Sequence, residues 1–172
     1  MTGRQTALCG VLSALAVTLM LAGGLLGVAT YCAPLLAMGV LLPVLEECGA
    51  KAAGSAWAAV SILGLLLVSD RELALVYAAF GWYPVLRPTL NRIPLKFPRI
   101  LVKLTLLNGV LLVYYQILLH VIGLPEDAVI LPGWANGLLL FSVNGLFLMV
   151  DVLIGRYTEL WRRKWRKMVF KT

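Results

Sequence analysis

Five scattered side chains of this sequence are of the types that bind small molecules: Tyr31, Gln116, His120, Trp134 and Asn136. Together they combine aromatic surface with a few hydrogen-bond donors and acceptors, which is the usual composition of a small-molecule pocket. We therefore predict that they converge as ligand contacts. The alternative is an aromatic belt at a membrane interface with a single histidine beside it.

A second set of polar side chains is spaced by seven residues along two apolar stretches. Asn108 and Tyr115 share one helix face, and Asn144 and Asp151 share another. If these faces meet, a polar seam crosses the helices, and polar groups inside apolar spans are functional candidates. The alternative is structural: Asp151 pairs with Lys103, or with a nearby arginine, to hold the helices together.

No constellation of residues indicates catalysis. A single histidine, three separate cysteines and the absence of a Gly-rich phosphate loop provide neither a nucleophile with its base nor a metal site. We predict no enzymatic activity, no metal and no cofactor. Glu46 and Glu47 precede Lys51 closely, and we expect one of these carboxylates to pair with this lysine at a membrane surface.

The composition is that of a membrane protein. Hydrophobic residues make up 61% of the 172 residues and charged residues only 13%, whereas charged residues are about a quarter of soluble domains. A spanning helix needs about 20 apolar residues. The length therefore allows one all-α membrane domain of about six helices and leaves no room for a soluble catalytic domain.

The apolar stretches divide the chain into six predicted spans. The second and fourth are short enough to be tilted, broken or partly re-entrant. A proline-punctuated basic connector separates the fourth span from the fifth, and a basic tail follows the sixth. The spans cover about 6–28, 33–45, 52–68, 73–86, 100–123 and 129–154, the connector 87–99 and the tail 155–172.

Basic residues predict the orientation of the spans. Of the 15 Lys and Arg residues, all except Arg71 fall on one side of the predicted bundle. The positive-inside rule then places the connector and both termini in the cytoplasm of a multi-pass plasma-membrane protein. The net charge of +7 flanks apolar spans, so we expect anionic lipid headgroups to contact the connector and the tail, and we expect no nucleic-acid binding.

Small residues on the first span indicate a tight helix contact. Gly10 and Ala14 are spaced by four and share one face. With six short spans and both ends inside, the chain resembles the substrate-binding S components of energy-coupling factor transporters. In that family small residues of the first helix pack against a coupling subunit, and Gly10 and Ala14 are the matching positions. The segment Phe80-Gly-Trp-Tyr-Pro84 with its basic connector also resembles uncharacterised S-component-like proteins of Gram-positive bacteria.

The resemblance implies a membrane-embedded binding subunit that captures a small solute from outside. Such a subunit would depend on separate coupling and ATPase subunits as partners. The alternative function is a non-transporting membrane scaffold that recruits partners through its connector and tail. A coupling subunit and ATPases that copurify with the chain would favour transport, whereas cell-wall or division proteins would favour the scaffold.

Overall fold

The computed structural model describes residues 3–26, 31–117, 119–120 and 133–165, and all secondary structure in these ranges is helical. Four helical segments are long and apolar enough to cross a membrane, which confirms the all-helical class and agrees with a membrane protein. The described helices are α1 (Gly3–Leu26), α2 (Cys32–Leu67), α3 (Arg71–Phe80), α4 (Tyr83–Leu90), α5 (Lys96–Ile117) and α6 (Gly133–Leu160), followed by the π-helical turn Trp161–Trp165.

The chain divides into two compact units. The first unit comprises Met1–Thr89 together with Thr158–Thr172, and the second comprises Leu90–Tyr157. The first unit therefore holds α1 to α4 and the C-terminal segment, and the second holds α5 and most of α6.

Within the first unit, α2 doubles back on itself at Gly49. A straight helix of its 36 residues would be about 54 Å long, yet a 2.7 Å hydrogen bond joins Tyr31 before α2 to Glu72 after it. At the other end, the Gln5 side chain donates to the backbone oxygen of Glu47 at 2.8 Å. The backbone of Gly49 has φ 85° and ψ 173°, a conformation that favours glycine. α2 is thus a hairpin of two helical arms, 32–48 and 50–67.

The core of the first unit is built from small and medium apolar side chains of α1, both arms of α2, and α3. Ala16, Met20, Ala37, Val60 and Leu73 are almost completely buried in it. Because alanine and glycine keep backbones close together, helices can pack here without a large hydrophobic driving force between them.

A side-chain cap sets the start of α3. Asp70 precedes the helix, and its Oδ1 accepts hydrogen bonds from the backbone N–H groups of Glu72 and Leu73 at 3.1 and 3.2 Å. These bonds satisfy two donors that a helix start leaves without intrahelical partners.

At the end of α3, Trp57 of α2 approaches the backbone closely. A Cβ atom added at Gly81 would lie 2.8 Å from Cδ1 of the Trp57 ring and 2.6 Å from the backbone oxygen of Tyr77. Only glycine fits this space. The predicted span 73–86 is therefore not one helix: α3 ends before Gly81, and α4 begins at Tyr83.

The connector predicted at 87–99 is largely helical at both ends. α4 continues to Leu90 and α5 begins at Lys96, which leaves residues 91–95 outside the helices. Pro98 lies in the first turn of α5, where a helix tolerates the missing N–H. Arg99 binds the backbone oxygen of Ile93 through Nε at 3.0 Å and through a terminal nitrogen at 2.5 Å. This contact ties the start of α5 to the residues before it.

Within the second unit, α5 and α6 are antiparallel. Lys103 contacts Asp151, and Asn108, further along α5, contacts Asn144, earlier on α6. These helices correspond to the predicted spans 100–123 and 129–154. The parts of those spans at 118, 121–123 and 129–132, the end of the first span at 27–28 and the tail from 166 onward lie outside the described residues.

Candidate functional site

The polar seam consists of two pairs of side chains that join α5 and α6. The side-chain amides of Asn108 and Asn144 each donate to the other, at 3.2 and 3.4 Å. Each amide also donates to the backbone of its own helix, Asn108 to Leu104 and Asn144 to Leu140, both at 2.8 Å. Because an asparagine amide has two N–H donors, both groups have used them. The amide donors of both asparagines are therefore bound to acceptors within the protein.

The second pair of the seam is the ion pair that the sequence suggested for Asp151. Lys103 Nζ lies 2.7 Å from Asp151 Oδ2, and the two side chains are 3% and 16% exposed. An unpaired charge at such a position would be costly. The remaining member of the predicted seam, Tyr115, is half-buried further along α5. The side chain that contacts Asp151 is Lys103. The arrangement is that of a structural pair.

An open groove lies along the far end of α5, away from the connector. It has a volume of about 520 Å³ and is lined by Leu112, Val113, Gln116, Ile117 and His120. Three apolar side chains, one amide and one imidazole thus face the same space. This is the combination of apolar surface and few polar groups that binds small molecules.

The hydrogen bond of His120 fixes the chemistry that its ring offers. Its Nδ1 lies 3.0 Å from the backbone oxygen of Gln116. A carbonyl oxygen can only accept, so Nδ1 must carry the proton in this contact. In the neutral ring Nε2 is then an acceptor. The groove can therefore offer a ligand one imidazole acceptor and, from the Gln116 side chain, an amide donor and acceptor.

The structure brings together two of the five predicted ligand contacts. Gln116 and His120 line the groove, whereas Trp134 and Asn136 lie exposed in the first turn of α6 and are not among its lining residues. Tyr31 belongs to the first unit, where its hydroxyl donates to Glu72 Oε1 at 2.7 Å. This hydrogen bond raises the pKa of Tyr31, with smaller contributions from burial and from the charges of Glu72 and Asp70.

The predicted packing face of α1 is open. Gly10 and Ala14 are exposed, and a Cβ atom added at Gly10 would meet no atom within 4 Å. The tight contact expected for this face is therefore not made inside the described part of the chain. The prediction therefore stands only as a contact with a helix of a partner subunit.

A cluster at the turn of the α2 hairpin was not predicted. Glu46 accepts two hydrogen bonds from Arg162, at 2.6 and 3.2 Å, and Glu47 Oε1 accepts one from the Trp161 ring at 3.3 Å. We expected Lys51 as the cation beside these carboxylates. Arg162 binds Glu46 instead, because the C-terminal segment of the first unit comes to the hairpin turn. The available sequence signal was that the acidic pair and the basic tail fall on the same predicted side.

Among the described residues, no group of three or more His, Cys, Asp and Glu side chains could hold a metal ion. In comparisons with known proteins, no family model, curated protein or solved structure matches the chain. What the site can do must therefore be derived from its own geometry.

Proposed function

We propose that the chain is a plasma-membrane subunit that captures a small solute from outside and depends on separate coupling and ATPase subunits. The observation that carries this proposal is the groove in which Gln116 and His120 lie side by side on apolar surface. The polar pairs of α5 and α6 have each other as partners. The groove thus has the polar groups best placed to receive a ligand.

The topology that we propose has six crossings with both termini in the cytoplasm. The reversal of α2 at Gly49 supports two crossings within that helix, and α3 with α4 provides 20 residues from Arg71 to Leu90 for another. α1, α5 and α6 complete the six. The distribution of Lys and Arg residues, all but Arg71 on one side, supports a cytoplasmic connector. The groove, at the opposite end of α5, then faces outside.

The groove chemistry suggests a ligand class. The apolar floor suits a small aromatic or aliphatic body, and the Nε2 acceptor of His120 suits an N–H or O–H group on it. The Gln116 amide adds a second polar contact. We propose an uncharged, partly apolar solute with at least one hydrogen-bond donor.

Two linked measurements test the transport function. The tagged chain is purified from its own host membranes, copurifying proteins are identified, and retained small molecules are detected by native mass spectrometry. We expect a membrane coupling subunit and ATPases, and a bound solute that is lost in Gln116→Ala and His120→Ala. Thr105→Ala is the matched control, because Thr105 is an exposed polar residue of α5 outside the groove. A solute retained by all three variants would refute the site.

A scaffold is the second candidate, and the cluster at the hairpin turn favours it. The contacts of Trp161 and Arg162 with Glu47 and Glu46 hold this part of the basic tail at a defined place. From there the tail could bind a partner. Copurification of cell-wall or division proteins without any ATPase would support this function over transport.

A further inference from the structure

Three separate segments of the first unit meet at the turn of the α2 hairpin. Gln5 near the start of α1 binds the backbone of Glu47 at 2.8 Å. From the C-terminal segment, Arg162 binds Glu46 and the ring of Trp161 binds Glu47. Trp161 is 7% exposed. The cluster therefore fixes the C-terminal segment, through a buried aromatic ring, at one end of two apolar helical arms.

The cluster carries an excess of positive charge. Glu46 is engaged by Arg162, but Lys51, two residues after Gly49, and Arg163 are both exposed. In the described ranges neither of these two side chains has an ion-pair partner. Arg163 directly follows Arg162 of the pair, and Lys51 comes five residues after Glu46, where the apolar arms of the hairpin give way to polar residues.

We propose that Lys51 and Arg163 bind the phosphate of an anionic phospholipid headgroup, and that Glu46 withholds Arg162 from the same phosphate. The hairpin arms are apolar along their length and end at this turn, which places the cations at the headgroup level of a bilayer. Cations at that level attract anionic lipids, and an amphipathic tryptophan is typical of it. The inference does not depend on whether the chain binds a solute.

The test compares nanodiscs of phosphatidylcholine with nanodiscs that also contain phosphatidylglycerol. Two quantities are measured for each variant: the thermal unfolding midpoint and the number of phosphatidylglycerol molecules retained in native mass spectrometry. For the wild type we expect phosphatidylglycerol to raise the midpoint, and high salt to reduce this lipid-dependent rise.

The variants give results of opposite sign. Lys51→Gln combined with Arg163→Gln should lose at least half of the lipid-dependent rise and of the retained lipid. The matched control Arg71→Gln removes the one cation predicted on the opposite side and should keep both. Glu46→Gln should enlarge the lipid-dependent rise, because Arg162 is released, even though the midpoint in phosphatidylcholine falls.

Three outcomes would overturn the proposal. The double variant could keep the full lipid effect, Arg71→Gln could lose as much of it, or Glu46→Gln could diminish it. A fourth arm adds inorganic phosphate to phosphatidylcholine nanodiscs. If free phosphate raised the wild-type midpoint as much as phosphatidylglycerol does, the lipid assignment would be wrong.

Discussion

At the residue scale, the four polar side chains that join α5 and α6 bind each other in two pairs. Lys103 pairs with Asp151, and Asn108 pairs with Asn144. Polar groups in a membrane interior are rare because each unsatisfied one is costly, and reciprocal pairing removes that cost without any ligand. The pairs therefore also fix which faces of the two helices meet.

The Lys103–Asp151 pair should contribute strongly to stability once formed. Asp151→Asn leaves the Lys103 ammonium, which is 3% exposed, without its counter-ion, and loss of one partner of a buried pair costs about 3 kcal/mol or more. We expect this loss in the free energy of unfolding in detergent. The double variant Asp151→Asn with Lys103→Met should recover part of it, because the unpaired charge is gone. Strictly additive effects would exclude the pairing.

The Tyr31–Glu72 hydrogen bond gives a pH-dependent prediction. The pKa of Tyr31 is raised in the folded protein because its hydroxyl donates to the Glu72 carboxylate. A raised pKa means that the stabilisation is complete below the ordinary value of about 10 and is lost as pH rises through the raised value. The gap in unfolding midpoint between wild type and Tyr31→Phe should therefore close in strongly alkaline solution. A gap that stays constant would contradict this.

At the element scale, the hairpin of α2 is the feature on which the first unit depends. It brings Tyr31 to Glu72 at one end and Glu47 to Gln5 at the other. Both contacts require the chain to reverse at Gly49, the only residue in the described ranges whose backbone has a positive φ. The turn thus determines how α1 and α3 pack on the two arms.

Substitution at the turn should be far more harmful than at an ordinary helix glycine. Gly49→Ala places a side chain at φ 85° and ψ 173°, a backbone region essentially limited to glycine, which costs about 1–3 kcal/mol by backbone strain alone. The control is Gly54→Ala, where an added Cβ meets nothing within 4 Å and helix propensity favours alanine by about 1 kcal/mol. We expect opposite shifts in unfolding midpoint. Equal shifts would show that Gly49 does not form the turn.

Helix positions could be predicted from the sequence because apolar stretches and charged breaks are local signals. The polar break at Glu46 to Lys51 contains the hairpin turn at Gly49. The close contact between Trp57 and Gly81 at the end of α3 could not be predicted, because the two residues meet only through the packing of separate elements. Prolines alone also did not show how far α4 and α5 extend into the connector.

The candidate site was predictable only in part, for a similar reason. Gln116 and His120 are one helical turn apart, so their shared groove follows from local spacing. Lys103 and Asp151 could be paired in advance because few charges occur within spans. The Glu46–Arg162 pair joins residues 116 positions apart, and a closer cation, Lys51, was available to the same carboxylate. Sequence spacing favoured the nearer partner, and tertiary packing selected the distant one.

At the scale of the whole molecule, the basic residues and the apolar stretches predict how the chain is oriented in the membrane. All but one of its 15 basic residues fall on one predicted side, and such asymmetry orients membrane proteins with that side in the cytoplasm. The proposed function of the groove depends on this orientation, since a solute from outside reaches the groove only if the connector is inside.

Cysteine accessibility in intact cells tests this orientation most directly. Single variants Arg92→Cys in the connector and Arg71→Cys at the start of α3 are made in a background with the native cysteines replaced by alanine. Both are treated with a membrane-impermeant thiol reagent. We predict that the cysteine at position 71 is labelled in intact cells, and that the one at position 92 is labelled only after the membrane is opened. Labelling at position 92 in intact cells would contradict the proposed topology and, with it, an outward-facing groove.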